Sequence, residues 1–368
     1  MANMDVGTPR FYCDYVNYLM SRGVAQNGNF DVTATNASNN FMGTFTTGSE
    51  PELFDMNPLN KCTFDTSADT DGHVLITIDT QSATFKKSYI AILNHNLVSS
   101  VGKIRIFAGD ASSDVTALDG GNADTADITW ADDTVTDVVN GDTTTAASND
   151  KSVVIEPATD GSTIIKFAEQ TNRYWGIQFE GNTTNTGVAT NGTWGSTDFF
   201  VGCIMIGEHY EMPHAPDLEL TRMISYNRLN DLQESHGGQR FSNLKSYGRT
   251  ATSTSKSPFT TASNGYDMYG GRLIYDMSFS FLSNTELMPD EYNILAADDN
   301  FVSDVWNMTN GNHLPFIFSI DKDSEGDNSS TTDAESEHIF GRFANNSLDM
   351  TQVAPEIYNI KLTIEEEF

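Results

Sequence analysis

The sequence predicts an all-β protein of two domains with one accessory helix. Three observations predict it. Short runs rich in Val, Ile, Phe and Tyr recur along the chain, and several alternate apolar with polar residues, which is the period of a strand. A proline-punctuated stretch, Glu211-Met-Pro-His-Ala-Pro-Asp217, divides these runs into two groups. The 368 residues suffice for two cores, and an aromatic content of 11% argues against disorder.

Residues 1–44 read as an N-terminal strand and a polar arm. Between Thr8 and Met20, alternation puts Phe11, Cys13, Tyr15, Asn17 and Leu19 on one face, and the aromatic content favours strand over helix. The first domain spans 45–212. It holds a strand at Val74–Asp79 and a buried strand at Ser88–Leu93. A half-buried strand follows at Lys103–Phe107, with Ile104 and Ile106 on one face and Lys103 and Arg105 on the other. Asn94, His95 and Asn96 form the turn between the last two, where their side chains can bond backbone groups that a tight crossover leaves unpaired. Residues 109–150 carry ten aspartates and no basic residue. They read as an acidic surface insert with a short strand near Ile128–Trp130. Strands resume at Ser152–Glu156, Thr163–Phe167, Arg173–Glu180 and Phe199–Gly207.

The second domain spans 216–368. Within 220–272 seven basic residues (Arg222, Arg228, Arg240, Lys245, Arg249, Lys256, Arg272) face three acidic ones, reversing the balance of the whole chain. Arg272–Leu282 alternates, placing Leu273, Tyr275, Met277, Phe279 and Phe281 together. Tyr292, Leu295, Val302, Val305 and Trp306 predict a helix over about 290–308, ended by Gly311. Leu314–Ile320, His338–Phe343 and Ile357–Ile364 close the chain as strands.

With 51 acidic and 20 basic residues the formal charge is −31. Such a chain repels nucleic acid, and no apolar run is long enough to insert in a membrane. The N-terminus lacks the basic and apolar regions of a signal peptide, so synthesis and assembly in a cytoplasm are expected. Cys13, Cys62 and Cys203 are odd in number and widely spaced, and read as reduced, buried thiols.

Nucleophile elbows, P-loops and paired metal-ligand spacings do not occur, so no enzyme is expected. His209 and His214 flank the proline turn beside Glu208 and Glu211; they read as a solvated linker rather than a metal site. Asp321, Asp323, Glu325 and Asp327 begin like a calcium loop, but Thr332 replaces the closing glutamate, so only weak Ca²⁺ binding is open to them. Asp65, Asp69 and Asp71 form a second acidic turn of the same kind. No other cofactor is expected. His95 has two roles open: a structural imidazole bonding the turn, which is expected, and a sugar or partner contact.

Ala91-Ile-Leu-Asn-His-Asn-Leu97, then Trp175-Gly-Ile-Gln-Phe179 and Val201-Gly-Cys-Ile-Met-Ile-Gly-Glu208, occur in an order that resembles the galactose-binding-like jelly roll of tailed-phage structural proteins. That resemblance covers roughly residues 45 to 210. The second half, with Arg272–Ser283, Leu314-Pro-Phe-Ile-Phe-Ser-Ile-Asp321, Gly341-Arg-Phe343 and Tyr358-Asn-Ile-Lys-Leu-Thr-Ile-Glu-Glu366, resembles tail-tip and baseplate components of the distal-tail type. In those proteins the ring-forming domain comes first; here the jelly-roll candidate does, which leaves the component open. The resemblance implies a structural virion protein of the phage tail, forming a homo-oligomer with copies of itself and with other virion proteins. Arg222, Arg228, Arg240 and Arg249 are the expected interface residues, pairing with acidic neighbours. The alternative is a carbohydrate-binding tail fibre or receptor-binding protein with a host glycan as partner.

Overall fold

A computed structural model describes residues 6–23, 30–32, 45–68, 73–81, 85–115, 135–144, 152–181, 193–225, 230–244, 259, 272–289, 299–321 and 338–367. The fold is all-β and antiparallel. A six-stranded sheet runs in the order Phe30–Val32, Val74–Asp79, Tyr174–Gly181, Gly102–Gly109, Val153–Pro157, Gly141–Thr144. A four-stranded sheet runs Cys203–Gly207, Lys87–His95, Gly161–Gln170, Val135–Val139. The two face each other as a sandwich. Ile76, Ile104, Ile155 and Ile177 from the first meet Ile90, Ile92, Ile165 and Ile206 from the second, all fully buried. Burying each such side chain contributes about 1.5–3 kcal/mol, and the sandwich arises because alternation gives both sheets one apolar face.

An eight-stranded sheet follows the path His209–Glu211, Arg10–Tyr12, Phe316–Ser319, His338–Phe343, Ile357–Glu366, Arg272–Ser283, Thr221–Ser225, with Met350–Ala354 paired to Ile357–Glu366 beside it. Its own core contains Phe11, Tyr15, Phe301, Val305, Phe316, Phe318, Phe343 and Leu362. A third cluster joins the units: Tyr89, Ala91 and Leu93 from the outer face of the four-stranded sheet pack with Tyr12, Ile317 and Phe340 from the eight-stranded one. Phe11 and Tyr12 are neighbours in one strand and so point to opposite faces, Phe11 into the second core and Tyr12 into the seam.

Several elements differ from the sequence expectation. The strand Arg10–Tyr12 stops early, and Tyr15–Ser21 is helical. Asp14 caps that helix, accepting from the Asn17 backbone N–H at 2.7 Å, and its other oxygen accepts from Ile206 N–H at 3.0 Å. The N-terminal strand is therefore part of the eight-stranded sheet, not a free appendage. The acidic insert is not wholly an excursion, because Val135–Val139 and Gly141–Thr144 pair into both sheets of the sandwich. The strand foreseen near Ile128 lies outside the described residues.

Gly102–Gly109 is buried on both faces, because Arg105 is neutralised in place and needs no solvent. At Phe281 a bulge with φ 66° breaks the alternation of Arg272–Ser283. Phe281 is turned out to 75% exposure, and Leu282 takes the core position. Of the expected helix over 290–308, residues 290–298 lie outside the described residues; Phe301 leads into a π-helical turn at Val302–Asn307.

Candidate functional site

The Asn94–Asn96 turn is held from every side. Asn94 sits at φ 55°, and its Nδ2 donates to the Pro58 carbonyl at 2.5 Å. Asn96 accepts from the Phe200 backbone N–H at 2.7 Å and donates to the Asp198 carbonyl at 2.8 Å. His95 is buried; its Nδ1 accepts from the Leu97 N–H at 3.3 Å, which fixes the proton on Nε2. Nε2 then donates to Thr163 Oγ1 at 2.9 Å, and Thr163 donates to the Asn140 carbonyl at 3.2 Å. Burial lowers the imidazole pKa to about 4, so it stays neutral. Both ring nitrogens are bonded within the fold.

Charged groups gather where the sandwich meets the eight-stranded sheet. Arg10 pairs with Glu211, and Lys166 with Asp137 at 2.8 Å. Lys86 lies 3.1 Å from Glu169, 3.3 Å from Asp299 and 3.9 Å from Glu208. Burial, together with Asp304, Glu169 and Asp299 and against the opposing Lys86, pushes the Glu208 carboxyl up to about 8. The oxygens of Glu169, Glu208 and Asp299 lie within 4.8 Å of one another and could ligate a cation, but the Lys86 ammonium already supplies the positive charge there.

His209 is no partner of His214. Its backbone N–H donates to Ser88 Oγ at 3.0 Å, and Ser88 bonds its Nδ1 at 2.7 Å. Burial, with Arg10 nearby, lowers its pKa to about 4. The first part of the expected linker, His209–Glu211, is instead a strand paired to Arg10–Tyr12, while 213–220 are irregular and partly or fully exposed.

The far edge of the eight-stranded sheet is different in kind. Thr221–Ser225 pairs with Arg272–Asp276 and is the last strand of the path among the described residues. None of its five residues is buried, and Met223 and Ile224 are 42% and 58% exposed. Leu218 is fully exposed nearby, following Asp217, whose carboxylate accepts from Ser280, the neighbour of the out-turned Phe281. The two-stranded ribbon Asn230–Glu234 and Arg240–Leu244 follows in the chain. A sheet edge with exposed apolar side chains offers a neighbour area to bury.

Of the expected interface arginines, Arg222 stacks over the Tyr275 ring at 5.6 Å and Arg240 pairs with Glu234 across the ribbon at 3.2 Å. Arg228 and Arg249 lie outside the described residues. Asp321 is buried beside Gly7, where an added Cβ would fall 2.0 Å from its Oδ1; Asp323, Glu325 and Asp327 lie outside the described residues, as do Asp69 and Asp71. The sequence reading missed the Arg105–Glu180 pair, with bonds of 3.0 and 2.8 Å between fully buried side chains, supported by Ser152 at 2.9 Å. Alternation at Gln178–Glu180 was the available signal, since cross-strand register places Gln178 opposite Arg105.

The chain matches no family model, no curated protein and no solved structure. The functional reading therefore rests on the residues and their geometry.

Proposed function

We propose that the chain is a structural component of a phage virion, of the tail-tip or baseplate kind, that assembles through protein–protein contacts made by the Thr221–Ser225 edge. The observation that carries this reading is the edge itself: the last strand of its path among the described residues, bearing the exposed Met223 and Ile224, next to the exposed Leu218 and Phe281. A chain with a net charge of −31 resists self-association, so an apolar edge and the local basic segment 220–272 are where that resistance is lowest. The resemblance of both halves to phage structural proteins supports the same reading. Its location would be the tail, after synthesis in the host cytoplasm, with copies of itself and other virion chains as partners.

The test is to image intact particles and locate the chain, alongside particles made with Met223→Lys and Ile224→Lys. Ordered copies in contact along this edge, and loss of assembly with a folded protomer in the variant, are expected. Normal particles from the variant would refute the reading. The second reading, a carbohydrate-binding fibre or receptor-binding protein, is favoured by one observation, a groove walled by Trp306.

A further inference from the structure

The π-helical turn Val302–Asn307 is followed by a loop that folds back on itself through left-handed residues Asn310 (φ 50°) and Gly311 (φ 69°). A groove of about 330 Å³ opens there, lined by Arg22, Trp306, Asn307, Asn310, Gly311, Asn312, His313 and Asn346. Its volume lies at the lower end of small-molecule sites, roughly 300–1,000 Å³. One side of the indole is anchored, with the Phe343 ring 5.2 Å away. Trp306 is half-buried, and Gly311 lies against it at a left-handed turn that favours glycine.

The polar groups are set in a particular way. Asn310 donates its Nδ2 to Ser21 Oγ at 2.6 Å and keeps Oδ1. Asn312 donates its Nδ2 to Asn346 Oδ1 at 3.1 Å, which leaves Asn312 Oδ1 as an acceptor and Asn346 Nδ2 as a donor. Each amide is oriented by one bond and offers the other half of its capacity. Arg22 rests over the Tyr18 ring at 5.2 Å and has no carboxylate partner among the described residues. Among the described residues no carboxylate lines the groove, although the chain has 51 acidic residues.

This chemistry selects a ligand class. A cation would require carboxylates. A strongly anionic ligand would require converging cations, whereas among the described lining residues Arg22 alone carries a fixed positive charge and the whole molecule repels anions. Oriented donors and acceptors beside a half-buried indole suit a ligand whose groups both give and accept hydrogen bonds around an apolar ring body. We propose that the groove is a binding site for a neutral saccharide, with one pyranose ring against Trp306 and its hydroxyls bonded by Asn310, Asn312, Asn346 and Arg22. The site lies in the second unit, on a different part of the fold from the Asn94–Asn96 turn, and its occupancy is independent of assembly at the Thr221–Ser225 edge.

The full chain is titrated with galactose, glucose, N-acetylglucosamine, N-acetylgalactosamine and rhamnose, with glucuronate and inorganic phosphate as anionic probes. Saturation-transfer NMR and calorimetry report binding. Saturable binding of at least one neutral sugar is expected, weakened by roughly tenfold in Trp306→Ala, as for loss of a central aromatic anchor. Trp306 also packs on Phe343, so Asn312→Ala with Asn346→Ala serves as a second variant. These are loop residues, and their replacement should weaken sugar binding at unchanged melting temperature. Binding of phosphate or glucuronate alone, binding unaffected by either variant, or no saturable binding of any neutral sugar would overturn the proposal.

Discussion

The Lys87–His95 strand and the Thr221–Ser225 strand stand at opposite extremes of one fold. The first lies between two neighbours, with eight of its nine residues buried, and its two faces feed two different cores. The second has one neighbour among the described residues and no buried residue. A central strand spends its hydrogen bonds and apolar area inside the molecule. An edge strand retains both, and what it retains is available to another chain. The comparison therefore separates scaffold from proposed contact surface: the sandwich is the buried frame, and the outer edge of the eight-stranded sheet is where we propose that association occurs.

The scaffold half of that comparison can be broken most severely at Arg105. Arg105→Met leaves Glu180 buried without its partner, and a loss of about 3–5 kcal/mol in urea unfolding is expected. Adding Glu180→Met should restore most of it, because the cost lies in the unpaired charge. A single variant as stable as the parent would show that this face is open to water.

Replacing His95 tests the turn. His95→Ala removes bonds to Thr163 and Leu97, and a loss of about 1–3 kcal/mol is expected, read from the same unfolding curves. Unchanged stability would free this residue for a ligand role.

The remaining effect depends on pH and concerns the junction. Glu208 holds a proton in the fold between its ordinary pKa of 4.5 and about 8, where the unfolded chain has released it. The native state binds more protons there, so this group makes stability fall as pH rises across that window. Glu208→Gln should match the parent near the bottom of the window and exceed it above the top, as measured by melting temperature against pH. Parallel curves for the two proteins would contradict the raised pKa.

The all-β class and most of the strands were legible because alternation and β-branched runs report one-sided burial directly, as in Val74–Asp79 and His338–Phe343. Three features were not. The Tyr15–Ser21 helix is short, and its aromatic residues carry strand propensity; the Asp14 cap and burial against two sheets decide the outcome. The reversal at Phe281 depends on one residue adopting a left-handed backbone, which no periodicity records. Arg105 looked like a solvent-facing charge because its partner lies 75 residues away in sequence. The site was less legible than the fold. Asn94, His95 and Asn96 could be picked out as a bonded turn, but the groove beside Trp306 draws Arg22, the 306–313 loop and Asn346 together from three distant segments.

Amide hydrogen exchange across Thr221–Ser225, compared between the isolated chain and the assembled particle, tests the central claim most directly. Exchange at this strand should be fast in the isolated chain and strongly slowed on assembly, while Lys87–His95 is slow in both. Equal exchange at Thr221–Ser225 in the two states, with protection gained elsewhere, would show that the chain assembles through a different surface.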